Sequence, residues 1–314
     1  MFFGTPAFAV PTLEALLASS HRVVGAVTQP DRPRGRGQRL EPTPVKVTAE
    51  RAGIPVLQPE RLKDDAVIDR IRQLDADLGV VAAYGRILPQ RLIDVPRLGM
   101  INVHASLLPR WRGAAPIHRA VIAGDTETGV TIMRVVLALD AGPMLAHRRA
   151  VIGPEDTSAD LETRLAGAGA SLLVETADRI GEGPLVEESQ DESLVTYAAR
   201  LERRESAIDW QRSAREIHNQ IRGLQPWPLA AALLQGRRVL LLRSTVATDV
   251  PSGAAPGLVV AVEPDALVVA TGDGAIRLTT IQPEGRPPMA VRAFLSGRHV
   301  VPGDRLDPLP VVQP

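Results

Sequence analysis

Apolar runs of strand length alternate with helically spaced apolar positions along the first two thirds of the chain. Residues 1–3, 22–28, 78–83, 98–103 and 130–136 are the apolar runs. Between them, 44–52, 64–73 and 114–123 read as helices. After the first run, Val10, Leu13, Leu16 and Leu17 mark one helical face. Thr5 and Pro6 stand before that face as its expected cap and first turn. A long pattern over 158–180 places Leu161, Leu165, Ala168, Leu172 and Ile180 on one stripe. Strands separated by helices of this length predict right-handed crossovers and a mostly parallel sheet with helices on both faces. This is an α/β, Rossmann-like plan. No Gly-x-Gly-x-x-Gly follows the first strand, which argues against a dinucleotide.

The pattern changes after residue 183. Glu187, Glu188, Asp191 and Glu192 crowd a weakly periodic segment that reads as a linker over 184–203. Residues 213–222 read as a helix stopped by Pro226-Trp227-Pro228. Short β runs follow at 238–243, 257–262, 266–270 and 275–281, parted by turns such as Gly272-Asp273-Gly274. They predict a small β barrel of OB type. The organisation expected is a Rossmann-like domain over 1–183, the linker, and an OB-like domain over 204–314.

Composition narrows the class. A length of 314 residues suits two domains. Hydrophobic content of 45% suffices for ordinary cores, and no apolar run approaches the ~20 residues of a membrane helix. No secretory leader or transit peptide is read at the start. Zero cysteines exclude disulfides and thiolate catalysis and are compatible with a reducing cytoplasm. Formal net charge is zero, so a nucleic acid would have to be held by a local patch. From residue 204 onward, twelve arginines against ten acids make the second domain only faintly basic.

The chemistry concentrates after the fourth strand. Asn102-Val103-His104 ends that strand, followed by Ser106-Leu107-Leu108-Pro109 and Arg110-Trp111-Arg112-Gly113-Ala114-Ala115-Pro116. Ligands of open α/β sheets sit at the carboxyl ends of strands. Asp140, in Leu139-Asp140-Ala141-Gly142, lies just past the fifth strand. An amide, an imidazole and a carboxylate suit acyl transfer without a covalent intermediate, in which an oxyanion needs a donor and an incoming amine must lose a proton. Alone, Asn-x-His at a strand end is more often a satisfied turn. The remaining histidines show no metal-ligand spacing and read as structural or surface groups.

The string from Asn102 through Ile117 resembles the signature of the formyltetrahydrofolate-dependent formyltransferases. The match extends to Ile208-Asp209-Trp210, Pro226-Trp227-Pro228 and residues 270–274, which are similar to the tRNA-formylating branch. The resemblance implies Asn102, His104 and Asp140 as the catalytic trio, and Ser106, Leu107, Leu108 and Pro109 as the loop against the folate. It implies 10-formyltetrahydrofolate as co-substrate, no metal, methionyl initiator tRNA as acceptor, no membrane, a monomer and a cytoplasmic location. Four arginines and two glycines in Arg32-Pro33-Arg34-Gly35-Arg36-Gly37-Gln38-Arg39 make a flexible basic loop, in which Arg36 falls on the family's tRNA-binding arginine. Arginine suits that role because its planar fork binds phosphate and stacks on an unpaired base.

The chain departs from the pattern in places. Its first strand is shorter than the family's, and Ala138 and Ala141 replace a glycine and a threonine beside Asp140. Arg203 stands where lysine is common. Two further readings stay open: the same chemistry on an amino-sugar nucleotide, and a non-catalytic folate- or RNA-binding protein. The arginine loop favours tRNA over the first, and retention of all three polar groups argues against the second.

Overall fold

Phe2 and Phe3, both fully buried, lie inside a seven-stranded sheet with two strands beyond them on one side and four on the other. The computed structural model describes residues 1–34, 39–247 and 253–310. In chain order the first elements are β1 (Phe2–Gly4), α1 (Val10–Ala18), β2 (Ala26–Val27), β3 (Arg32–Arg34), β4 (Arg39–Glu41), α2 (Pro44–Arg51) and β5 (Val56–Leu57). Then come α3 (Asp65–Arg72), β6 (Gly79–Ala82), α4 (Gln90–Ile93), β7 (Met100–His104), β8 (Arg112–Gly113) and α5 (Pro116–Ala123). β9 (Glu127–Arg134), β10 (Met144–Val151) and α6 (Ser158–Glu182) complete the series. The sheet order is β10-β9-β7-β6-β1-β2-β5. β7, β6, β1, β2 and β5 are parallel, and β9 and β10 add an antiparallel edge. The mostly parallel α/β plan is therefore borne out.

Alternation along the strands decides which side chains share a face. Phe3, Val27, Val81 and Met100 join Ile71 of α3 and Leu92 and Ile93 of α4 in one apolar cluster. Val103 points the other way, and with Val130 it meets α6 at Gly169. Asn102 and His104 share the face of Met100, so both emerge where the parallel strands end on the α3/α4 side.

Three local expectations need correction. Thr5 does not cap the first helix: its hydroxyl donates to the Tyr84 carbonyl at 3.0 Å, and the chain enters α1 through a 3₁₀ turn, Ala7–Ala9. The strand read over 22–28 pairs only at Ala26–Val27, because its neighbours β1 and β5 are themselves three and two residues long. The basic loop is not wholly irregular. β3 and β4 pair antiparallel, Arg32 opposite Glu41 and Pro33 opposite Leu40, while Arg36 lies outside the described residues.

The chain divides into two compact units. One holds Met1–Pro116, Glu127–Val151 and Glu162–Ala198; the other holds Ile117–Thr126, Ile152–Leu161 and Ala199–Pro314. The acidic segment beyond α6 does not run free. Glu188 bridges Met144, and β11 (Tyr197–Ala198) pairs in parallel with β8.

In the second unit, α7 (Ala214–Gly223) precedes β12 (Ala230–Leu234), β13 (Arg237–Ala247), β14 (Val259–Val262), β15 (Leu267–Ala270), β16 (Ala275–Pro283) and β17 (Met289–Ala290). α8 (Val291–Gly297) and β18 (Leu306–Pro308) follow. The antiparallel order is β14-β15-β16-β13-β12-β18, with β17 beside β16. The two ends of this sheet meet where Leu258 bridges Arg305 and Leu306 N–H donates to the Gly257 carbonyl at 2.8 Å. Closure of this kind removes free edges. β12 escaped the sequence reading because Ala230-Ala231-Ala232-Leu233-Leu234 lacks the β-branched residues that mark strands. Among the described residues no helix is long and apolar enough to cross a membrane.

Candidate active site

β7 is five residues of strand buried between β6 and β9, a rigid support for any side chain at its end. Asn102 lies opposite Val81 on one side and Met133 on the other. It is half-buried, and its amide makes no hydrogen bond among the described residues. An amide group left with two free donors at a strand end is available to an incoming oxygen.

His104 is buried, and its Nε2 lies 2.9 Å from the Trp111 carbonyl. A carbonyl only accepts, so Nε2 carries the hydrogen and the neutral ring keeps its lone pair on Nδ1. Nδ1 stands 3.7 Å from Oδ2 of Asp140, too far for a direct hydrogen bond. Oδ2 is itself held by the Gly113 N–H at 2.9 Å. The site thus presents one free amide, one imidazole lone pair and one oriented carboxylate.

The turn that carries Asp140 is closely fitted. Asp140 adopts φ +48°, the left-handed region that Asp tolerates better than most residues. A side chain at Gly142 would fall 1.9 Å from the Arg134 carbonyl, so only glycine fits there.

The loop after His104 is only partly a surface. Ser106 is fully buried; its hydroxyl donates to the Arg110 carbonyl at 2.6 Å. Leu108 packs with Met133 and Met144, and Leu107 lies over Gly129. Thr131, opposite His104, donates to the Ser106 carbonyl at 2.8 Å and accepts from the Leu108 N–H at 3.2 Å. Ser106 and Leu108 therefore hold the loop's shape, while Leu107 and Pro109 keep some exposure. Arg110 stacks over the Trp111 ring, 4.7 Å from its centroid.

Sequence reasoning missed the residues that brace this site. Arg112 is buried, and its Nε donates to Oε1 of Gln190 at 2.9 Å. Thr196 accepts from the Trp111 N–H at 2.9 Å through its hydroxyl. Both partners come from the segment read as a linker, and nothing in one sequence distinguishes them from its solvated acids. Ile87, Leu137 and Leu139 are exposed apolar side chains, the last of them covalently next to Asp140. Among the described residues, no three His, Cys, Asp or Glu groups are placed to hold a metal ion.

At the base of the basic hairpin, Asp31 accepts from Lys46 Nζ and from Gln58 Nε2, each at 2.6 Å. The hydrogen bonds from Lys46 and Gln58 hold its carboxyl below the usual range.

A family model described as formyl transferase matches residues 1–177, and one described as formyl transferase, C-terminal domain, matches 200–299. A methionyl-tRNA formyltransferase of Methylococcus capsulatus is 49% identical over 306 residues, 98% of each chain. One of Geobacter metallireducens is 46% identical over 98% of this chain and 97% of its own. Among solved structures, an N-formyltransferase of Helicobacter canadensis, in complex with folinic acid and dTDP-3-aminofucose, superposes with TM-score 0.66 at 18% identity. The match covers 88% of this chain and 97% of that one. A formyl transferase model over more than half of the chain and relatives at 46–49% identity over 98% of it show that the chain belongs to the formyl transferase family.

Proposed function

We propose that this protein transfers the formyl group of 10-formyltetrahydrofolate to the free amino group of methionyl initiator tRNA, for translation initiation. The observation that carries the acceptor is the 49% identity to a methionyl-tRNA formyltransferase, spread over 98% of both chains. It runs through both units and not through the catalytic fold alone.

The site's geometry supports the reaction. The methionyl nitrogen attacks the formyl carbon, a carbon–nitrogen bond forms, and negative charge gathers on the formyl oxygen. The free Asn102 amide is the donor for that oxygen; one such hydrogen bond is typically worth about 3–4 kcal/mol of barrier. His104 acts through Nδ1, since Nε2 is committed to the Trp111 carbonyl. Nδ1 takes the proton from the attacking nitrogen, and Asp140 stabilises the imidazolium that results. The bond from the formyl carbon to the folate nitrogen then breaks, and that nitrogen takes the proton. The exposed Ile87, Leu137 and Leu139 suit the flat apolar rings of a folate, and Leu107 and Pro109 offer it the loop's remaining surface. Arg36 is assigned to the acceptor end of the tRNA, and the enzyme works as a cytoplasmic monomer.

The test is incubation with labelled formyl-folate and either charged initiator tRNA or an amino-sugar nucleotide. Label on the methionyl group supports this reading. Label on the sugar alone would replace it.

A further inference from the structure

Gln190 closes a ring of hydrogen bonds around the Asp140 turn. Its Nε2 donates to the carbonyls of both Asp140 and Gly142, each at 2.8 Å. Its Oε1 accepts from Arg112 Nε, which fixes which end of the amide is which, because a guanidinium cannot accept. Arg112 is covalently next to Gly113, whose N–H holds the Asp140 carboxylate at 2.9 Å. The chain thus returns on itself from Gln190 through Arg112, Gly113 and Asp140 to Gln190. The outer face of the Arg112 guanidinium is neutralised by Glu192, with contacts of 2.8 and 3.3 Å.

The arrangement is unusual for a segment with no regular structure. Gln190 is 9% exposed and Arg112 is 3% exposed. A buried guanidinium bonded through each of its three nitrogens and a buried amide bonded at both ends define one geometry and penalise others. What they define is a turn whose central residue sits at φ +48° and carries a carboxylate. Backbone in that region persists only when its surroundings over-determine it.

We infer that Gln190 is a positioning residue for formyl transfer, which holds Asp140 against His104 through the Asp140 and Gly142 carbonyls and is itself aimed by Arg112. The inference rests on the reading of Asp140 given above. Gln190 is buried, and its side chain is spent on the turn and on Arg112, so its loss is expected to act on the chemical step and not on binding. Misplacement of a catalytic group by about 1 Å costs up to ~100-fold in rate.

The experiment compares Gln190→Met and Gln190→Glu in full-length enzyme, alone and combined with Asp140→Asn. Gln190→Met keeps the volume and removes both donors. It is expected to lower kcat about 10- to 100-fold and to leave both KM values within about 3-fold. In the Asp140→Asn background the same change should cost less than about 3-fold, because the group being positioned is gone. Gln190→Glu keeps the acceptor for Arg112, so it guards against a variant that merely fails to fold. The groups facing it are the Arg112 guanidinium, with Glu192 behind it, and the two carbonyls of the turn. As pH falls its carboxyl gains a hydrogen to donate to one carbonyl, so its kcat relative to the native enzyme should rise, while that of Gln190→Met stays level.

Native kcat for Gln190→Met beside an inactive Asp140→Asn would overturn the role of Gln190 alone. An equal loss in both backgrounds would reduce it to general structural support. Native kcat for Asp140→Asn would instead overturn the reading of Asp140, and the positioning role with it.

Discussion

The Gly113 N–H donates to Oδ2 of Asp140 at 2.9 Å, although the two residues are 27 positions apart. The bond joins the loop after β7 to the turn before β10, and it points the carboxylate toward the open nitrogen of His104. Gly113 itself has φ +122°, and a side chain there would meet the Ala198 carbonyl at 2.8 Å, so the donor is glycine for two reasons. Asp140→Asn keeps an oxygen for this bond, and Asn tolerates the left-handed region. The variant should melt within a few degrees of the native enzyme. Its single-turnover formylation should fall by ~100-fold or more, because an amide cannot stabilise an imidazolium.

Asn102→Ala and His104→Ala should differ in a way the sequence alone does not suggest. From the motif, both side chains read alike, as polar groups at the carboxyl end of a strand where ligands sit. Asn102 fits that: its amide is unengaged, so Asn102→Ala should lower kcat ~100-fold with little change in stability. His104 is buried and bonded to the Trp111 carbonyl. His104→Ala should lose a similar factor in rate and also about 1–3 kcal/mol of stability, since it removes a hydrogen bond and leaves a cavity. Rate assays paired with denaturant melts of both variants would check this. Equal melting curves would show that the Trp111 bond contributes nothing.

The legible parts of this fold were those in which one physical signal acts alone. The five apolar runs of the first unit and the long stripe of α6 are set by burial, and periodicity reports burial directly. β12 is buried as well, but its alanines carry no strand signal, and its place depends on β13 and β18 pairing with it. The site divides the same way. Asn102 and His104 stand two residues apart on a strand, so their common face follows from alternation. Gln190 and Thr196 reach the site only through long-range contacts, and Gln190 lies among acids whose spacing resembles a solvated segment. Thr5 misled because Gly-Thr-Pro is a good start for a helix, yet a hydrogen bond to Tyr84 competed for its hydroxyl.

The second unit carries a titratable helix cap. Ser213 accepts from the Glu216 N–H, and Glu216 accepts in return from the Ser213 N–H at 3.0 Å and its hydroxyl at 2.8 Å. These bonds, with Arg212 beside them, hold the Glu216 carboxyl down at about 2. Its folded value lies below its unfolded one. The contribution is therefore full above about pH 4.5 and is lost as pH falls toward about 2. Glu216→Gln should flatten the acid limb of a thermal-stability profile in that window. Ser213→Ala should cost about 1 kcal/mol at neutral pH. An unchanged acid limb for Glu216→Gln would mean that other carboxylates dominate there.

Arg36→Ala should impair use of methionyl-tRNA while leaving formyl-folate kinetics unchanged. The base of its hairpin is fixed: Asp31 is clamped by Lys46 and Gln58, and β3 and β4 are paired. An arginine in the segment of sequence between these two strands can reach phosphate or stack on an unpaired terminal base, and loss of one such contact costs about 1–3 kcal/mol. Arg39 belongs to the ribbon itself and would act mainly through its charge on phosphate. Arg39→Ala should therefore weaken binding mildly and reduce the salt dependence by about one counterion. The two variants are best compared on initiator methionyl-tRNA at several salt concentrations. A large, salt-independent loss for Arg36→Ala beside a small, salt-sensitive one for Arg39→Ala would separate a specific contact from general attraction. Equal small losses in both would demote Arg36 to one charge among four and return the amino-sugar nucleotide to contention as acceptor.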